Sequence, residues 1–261
     1  SDLRIRRRKQ LLNDAPVLEL FSKHLEKQMQ KLEAFYHCRL YAPNDFIKPH
    51  IWEGDSRSLE SFYQNGLSEC SVDAVVTSPP YATALPYIDT NRLSLLVLMG
   101  MTSKQRDPIE ENLIGSREIK KTSKLDIEEK IIKNDYENIV SPYAINLISR
   151  IFSLNNTNDV GFRRKNMASL LYKYFSYITQ CIQNIHHLLK PKGSLFFVIG
   201  NNFTKSGAEK IQIKTTEMLK ETALHYGFYL YEEIPISVTT DNVKHINNSI
   251  KNNMILWFKK S

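Results

Sequence analysis

Apolar residues recur along the chain in two periods, and the changes of period mark the elements. Leu18, Phe21, Leu25, Met29, Leu32 and Tyr36 step by three or four residues, which predicts one amphipathic helix after a basic arm, Arg4 to Lys9. From Ile51 the pattern alternates between strand and helix. Pro49-His50-Ile51-Trp52-Glu53 predicts a short strand ending at Gly54-Asp55-Ser56, and Arg57 to Gln64 predicts a helical turn or two closed by Asn65-Gly66. Val72-Asp73-Ala74-Val75-Val76 predicts a buried strand halted by Pro79-Pro80, followed by an apolar helix over Asp89 to Met101.

Residues 102–165 are charge-dense and weak in period, which predicts an inserted lobe without sheet. Alternation returns with a helical stripe from Met167 to Leu189, ended by Pro191-Lys192-Gly193. Leu195-Phe196-Phe197-Val198-Ile199 is apolar throughout, the pattern of a strand covered on both faces. A helix is predicted over Lys210 to Tyr226, with Gly227 as its stop, then closing strands over Tyr229 to Val238 and Met254 to Phe258. This order predicts an α/β fold whose mostly parallel sheet ends in antiparallel strands. The expected organisation is an arm and helix over 1–50, a main part over 51–101 and 166–261, and the lobe over 102–165.

Composition adds bounds. The 261 residues are 42% hydrophobic, enough for one large domain or a domain with an insertion. Lys and Arg number 35 against 28 Asp and Glu, a net charge of +7 that suits a polyanionic partner without proving one. Cys38, Cys70 and Cys181 lie far apart, which argues for a reducing compartment and against a zinc module. No apolar stretch is long enough to span a bilayer, and the N-terminal residues lack a secretory pattern, so a cytoplasmic location is expected.

The candidate chemistry lies in Ser78-Pro79-Pro80-Tyr81, directly after a buried strand. In open α/β sheets, ligands bind outside the carboxyl ends of the strands, where this loop falls. Two prolines fix φ and remove two donors, leaving a rigid loop that presents carbonyl acceptors. Ser78 adds a hydroxyl and Tyr81 a flat face. Acceptors beside an aromatic plate suit the exocyclic amino group of a nucleobase.

That segment resembles the catalytic motif of DNA amino-methyltransferases: Asp, Asn or Ser, then Pro-Pro, then Tyr, Phe or Trp. The stretches Pro86 to Ser94 and Leu113 to Glu118 look like bacterial site-specific methylases as well. The resemblance implies a Rossmann-like, S-adenosylmethionine-dependent methyltransferase sheet, here its catalytic part with antiparallel terminal strands and an inserted lobe. It implies double-stranded DNA as substrate in a restriction–modification setting. The Ser form is similar mainly to cytosine-N4 enzymes, with adenine N6 or an RNA base amino group as alternatives. The base would flip out and stack on Tyr81, with Ser78 Oγ and the Pro79 carbonyl accepting the amino hydrogens.

The resemblance also implies that Ser78, with Asp55, lies at the cofactor; Asp55 stands between two readings, an acceptor for the cofactor's adenine amino group or a cap for the helix beginning near Ser56. Asn201 and Asn202 border the expected target pocket, but loop-holding is the stronger reading for both. For DNA contacts the candidates are Arg92, Arg117, Arg163 and Arg164, with Lys120, Lys121 and Lys165 beside them.

The family's Phe-x-Gly-x-Gly cofactor loop is absent: no two of the nine glycines stand in a Gly-x-Gly pair. The resemblance therefore covers roughly Ile51 to Lys260 and leaves out the cofactor half. Degenerate cofactor binding, a non-catalytic DNA-binding subunit and a split or cleaved enzyme compete as explanations. The split enzyme is favoured, with a second polypeptide supplying the glycine loop, because the catalytic loop is complete while an entire strand–loop–helix unit is absent; half a sheet would also expose an apolar edge that a partner would cover.

Overall fold

The computed structural model describes residues 16–39, 49–82, 87–158, 160–237 and 252–261. The basic arm, and with it Arg4 to Lys9, lies outside them. By internal contacts the chain falls into two units, 1–51 and 52–261. The first holds helix α1 (Val17–Arg39), whose apolar stripe from Leu18 to Tyr36 is exposed. No helix among the described residues is long and apolar enough to cross a membrane.

The second unit is a mixed α/β layer. Ser58 caps the short helix α2 (Leu59–Gln64) by accepting from the Ser61 amide, and Gly66, at φ +86°, turns the chain away from it. Strand β1 (Val72–Thr77) follows, its β-branched residues suited to a pleated surface. Helix α3 (Tyr87–Met99) stops at Gly100, where φ is +61°. The predicted strand at Ile51 does not form: residues 49–55 have no described strand to pair with.

Residues 102–165 contain no described strand, but they are helical rather than irregular: α4 (Ser103–Asn112), α5 (Lys121–Ile132), α6 (Pro142–Thr157) and α7 (Phe162–Lys165). Helix α6 belongs to the core. Ala144, Leu147, Ile148 and Ile151 are buried at helical spacing and join the central hydrophobic cluster. Its start is pinned twice. Ser141 Oγ accepts from the Ala144 amide, and Glu221 accepts from Ser141 Oγ at 2.5 Å and from the Tyr143 amide at 2.9 Å.

Helix α8 (Met167–Leu188) buries Tyr174, Phe175, Ile178 and Ile182, and leads into strand β2 (Leu189–Ile199). Pro191-Lys192-Gly193 does not end the helix. It forms a bulge inside β2, with Lys192 at φ +64°, so that Val72 faces Leu189 while Ala74 already faces Ser194. A hairpin of β3 (Asn202–Ser206) and β4 (Glu209–Ile213) takes up residues expected to begin a helix. Helix α9 (Thr215–His225) starts after it, and β5 (Phe228–Ser237) and β6 (Asn252–Lys260) close the fold.

The sheet order is β1-β2-β6-β5, with β1 and β2 parallel and the other two pairs antiparallel, so it is mixed rather than mostly parallel. Registered residues share a face. Leu195 with Phe258, and Phe197 with Leu256, point into the core formed with α8 and α9. Val76, Phe196 and Trp257 line the opposite face, which stays partly open: Val76 is 73% exposed. The predicted two-sided burial of β2 is therefore seen on one side.

Candidate active site

Parallel β1 and β2 bring their carboxyl ends together at Thr77-Ser78 and Ile199-Gly200. Antiparallel β6 brings its first residues to the same end, since Met254 faces Ile199. The loop 78–82 is therefore reached from four elements. Ser78 Oγ donates to the Val198 carbonyl of β2 at 3.0 Å, and Tyr174 Oη of α8 donates to the Pro80 carbonyl at 2.8 Å. Asn253 Nδ2 of β6 donates to Tyr81 Oη at 2.7 Å, and Asn202 Nδ2 of β3 donates to the Ala82 carbonyl at 3.0 Å. Pro79 and Ala82 are buried, Pro80 and Tyr81 half-buried, and Ser78 exposed.

This geometry decides what Ser78 offers. With its proton on the Val198 carbonyl, Oγ presents lone pairs to an incoming group. In that arrangement Ser78 Oγ is exposed, on a loop held by four hydrogen bonds to neighbouring elements.

Beside the loop opens a cleft of about 580 Å³ lined by Gly200, Asn201, Thr216, Lys220, Glu233 and Asn253 among others. Asn201 Oδ1 accepts from the Thr216 amide and hydroxyl, so it holds the start of α9. With Asn202 bound to Ala82, both asparagines hold backbone, as the stronger reading of each expected. Lys220 pairs with Glu233 at 2.6 Å. Burial pulls the Lys220 pKa down, but Glu233 and Glu217 outweigh it and hold the ammonium above its ordinary value. The Asn253 carboxamide oxygen is buried without a partner among the described residues.

Asp55 is not at this loop's hydrogen bonds. Its carboxylate takes the Arg57 fork, with Nη2 at 2.6 Å and Nε at 2.9 Å, and accepts the Arg57 amide. Those hydrogen bonds hold Asp55 below its ordinary pKa, against a smaller effect of burial. Ser58, not Asp55, caps the helix. The segment is tied to α8: Arg57 lies 4.2 Å over the Tyr177 ring, and Asn184 donates to the Ser56 carbonyl.

Arg117 is exposed in the turn after α4, and Arg163 and Arg164 are exposed on α7, away from loop 78–82 in the hydrogen-bond network. Arg92 belongs to α3 by its backbone, and its side chain is outside the description. Among the described residues no group of three or more His, Cys, Asp or Glu side chains converges to hold a metal ion. Two site residues escaped the sequence reading. Tyr174 is hidden in an apolar stripe, its only signal being a hydroxyl that must find a partner when buried. Asn253 sits in a polar tract with nothing local to mark it.

A family model described as DNA methylase, of the N6 and N4 type, matches residues 72–261. The chain belongs to the N6/N4 DNA methylase family. The match begins at β1 and includes the Ser-Pro-Pro-Tyr loop and every strand of the sheet. No curated protein matches the chain. Among solved structures the chain is similar to TTHA0409 of Thermus thermophilus, assigned as a DNA modification methylase, at 16% identity, TM-score 0.35, covering 79% of this chain and 52% of that one. The form of TTHA0409 complexed with S-adenosyl-L-methionine gives 14% identity, TM-score 0.36, and coverage of 79% and 53%. The methylase chain thus spans about half the length of the solved structures it matches, and likenesses this distant add nothing to the argument from the site.

Proposed function

We propose that this chain supplies the target-base half of an S-adenosylmethionine-dependent DNA methyltransferase acting on an exocyclic amino group, cytosine N4 in the first place. The observation that carries the reading is the Ser78–Val198 hydrogen bond. With the hydroxyl proton turned to Val198, Ser78 Oγ offers its lone pairs outward, on a Pro-Pro loop that also carries Tyr81.

A flipped base stacks on Tyr81, and its amino hydrogens are taken by Ser78 Oγ and the Pro79 carbonyl. Holding both hydrogens turns the nitrogen lone pair out of the ring's conjugation and fixes its direction. This chain's contribution is positioning and electrostatics, with no strong base required. The cofactor supplies an activated methyl group. Adenine N6 is the alternative target, since the loop chemistry is shared.

The residues present fit the base and not the cofactor. There is no Gly-x-Gly loop in the sequence, and Asp55, proposed as acceptor for the cofactor adenine, has to share its carboxylate with Arg57. The cofactor half is proposed to come from a separate polypeptide segment that pairs with β1 and covers the open sheet face. Among the described residues β1 is an edge strand, and Val76, Phe196 and Trp257 present an apolar surface beside it. Leu98 of α3 is also exposed, at 81%. Such surfaces mark interaction sites. Arg92 and Arg117, and the helices α4 and α5 of the 102–165 region, are proposed to face DNA in target recognition.

Calorimetric titration of S-adenosylmethionine into this chain tests the division of labour. The expected result is no heat of binding to the chain alone, and binding once a segment carrying the glycine loop is added. Micromolar binding to the chain alone overturns the two-part reading.

A further inference from the structure

The β3–β4 hairpin carries a face that the methyl-transfer reading does not use. Burial alternates along both strands: Thr204, Ser206, Ile211 and Ile213 point inward, and Phe203, Lys205, Lys210 and Gln212 point out. In register, Lys205 stands directly opposite Lys210. Like charges at facing positions of an antiparallel pair repel, so this pair costs stability in the free protein. Neither lysine has an ion-pair partner among the described residues. Lys210 Nζ instead lies 4.6 Å over the half-exposed Phe203 ring. The one acid on the hairpin, Glu209, is already neutralised by Arg150 at 2.5 Å.

The hairpin tip is joined to a second basic element. Asn155, buried on α6, donates to the Arg164 carbonyl of α7 at 2.6 Å. Its side-chain oxygen accepts from Ser206 Oγ at 2.7 Å and from the Gly207 amide at 3.2 Å. Gly207 has φ +55°, and a Cβ there would meet the Asn158 amide at 2.9 Å, so the turn is seated on the end of α6. One buried side chain thus ties the backbone of the exposed Arg163-Arg164-Lys165 turn to the tip of the hairpin that carries Lys205 and Lys210 on its outer face. A groove of about 340 Å³ along the hairpin is lined by Arg150, Lys210 and Lys214 among others.

We infer that this joined surface, the outer face of β3–β4 with the α7 turn, grips the phosphate backbone of duplex DNA flanking the flipped base. The inference rests on the proposed function for naming DNA as the polyanion and for placing the target base at loop 78–82. Its scale fits. The hairpin is rooted at the reacting loop through Asn202 and Ala82, and four residue steps at about 3.3 Å carry the chain roughly 13 Å to its tip. Duplex phosphates advance about 3.4 Å per nucleotide along one strand, so the cations meet phosphates roughly three to four nucleotides from the target. Unpaired lysines beside an exposed aromatic are the recurring composition of nucleic-acid surfaces.

The test is fluorescence anisotropy of a short labelled DNA duplex with the full chain over a salt series. Three charge-removing double variants are compared: K205Q with K210Q, R163Q with R164Q, and, as a control at the opposite end of the sheet, K190Q with K192Q. The first two are expected to make the log K against log salt slope shallower by about 2, each lost phosphate contact being worth about 0.9. Raising salt from about 50 to about 200 mM then costs those variants roughly tenfold less affinity than it costs the parent chain. The control keeps the parent slope. Equal weakening in all three variants, hairpin variants that match the parent, a parent chain that binds no duplex, or tighter binding of a single-stranded RNA of the same length overturns the inference. Duplex binding that survives the hairpin variants removes this surface and leaves the methyltransferase reading standing. Loss of turnover on changing Ser78, with duplex binding intact, tests that reading separately.

Discussion

Asn253 donates a hydrogen bond to Tyr81 Oη at 2.7 Å, joining the last strand of the sheet to the aromatic plate of the methylase loop across 172 positions of sequence. The bond ties the Tyr81 hydroxyl to β6, while the half-buried ring packs against the edge of the core. Tyr81→Phe removes the hydroxyl and with it that bond, about 1 kcal/mol, and turnover of the completed enzyme falls less than about tenfold. Tyr81→Ala loses the stacking face, about 1–3 kcal/mol, and turnover falls up to roughly 150-fold. Asn253→Ala matches Tyr81→Phe, and the double variant is no worse than either alone. Methyl-transfer rates for the set check this, and additive losses contradict a shared bond.

Helix α6 makes residues 102–165 part of the fold's foundation. Ile148 is fully buried between α6 and α8, while Ile132 at the end of α5 is 68% exposed. Ile148→Ala is expected to destabilise the chain by about 2–5 kcal/mol, and Ile132→Ala by less than about 0.5 kcal/mol. Chemical denaturation measures both. Equal, small effects contradict the packing of α6.

His186 gives the fold a dependence on mild acid. Burial lowers its pKa from 6.5, the charges of Lys260 and His187 add to the shift, and its ring packs edge-on against Phe228. A depressed pKa means that the unfolded chain binds the proton more readily. The contribution to stability is therefore full above the unfolded value of 6.5 and is lost as pH falls toward the folded one. The melting temperature is expected to drop between about pH 7 and pH 5, and His186→Phe flattens that part of the profile. A variant with the parent slope contradicts the assignment.

Sequence pattern was most legible where a local rule and the tertiary environment agree. The helix α8, the strand β1, the stop at Gly100 and the closing β5–β6 pair all follow from periodicity and turn residues. The hairpin did not, because Ile211 and Ile213 alternate over too few residues to compete with the helical stripe of α9 that follows. Its turn residues, Ser206-Gly207, are the one local mark of the hairpin. Charge hides α6: the acidic and basic stretches of residues 102–165 mask the buried spacing of Ala144, Leu147, Ile148 and Ile151. At the site, Ser78 to Tyr81 were legible because two prolines and an aromatic after a strand are rare together. Asn253 and the Val198 carbonyl were not, since both act through contacts more than a hundred residues away.

Methyl transfer by the completed enzyme carrying Ser78→Ala addresses the acceptor role most directly, read as the yield of N4-methylcytosine and N6-methyladenine nucleosides from a methylated duplex. The expected result is a loss of about a hundredfold or more, the scale seen when one positioned group at a reacting centre is removed, with duplex binding and melting temperature unchanged. Parent-level turnover in that variant would contradict the assignment of Ser78 as the acceptor that holds the target amino group.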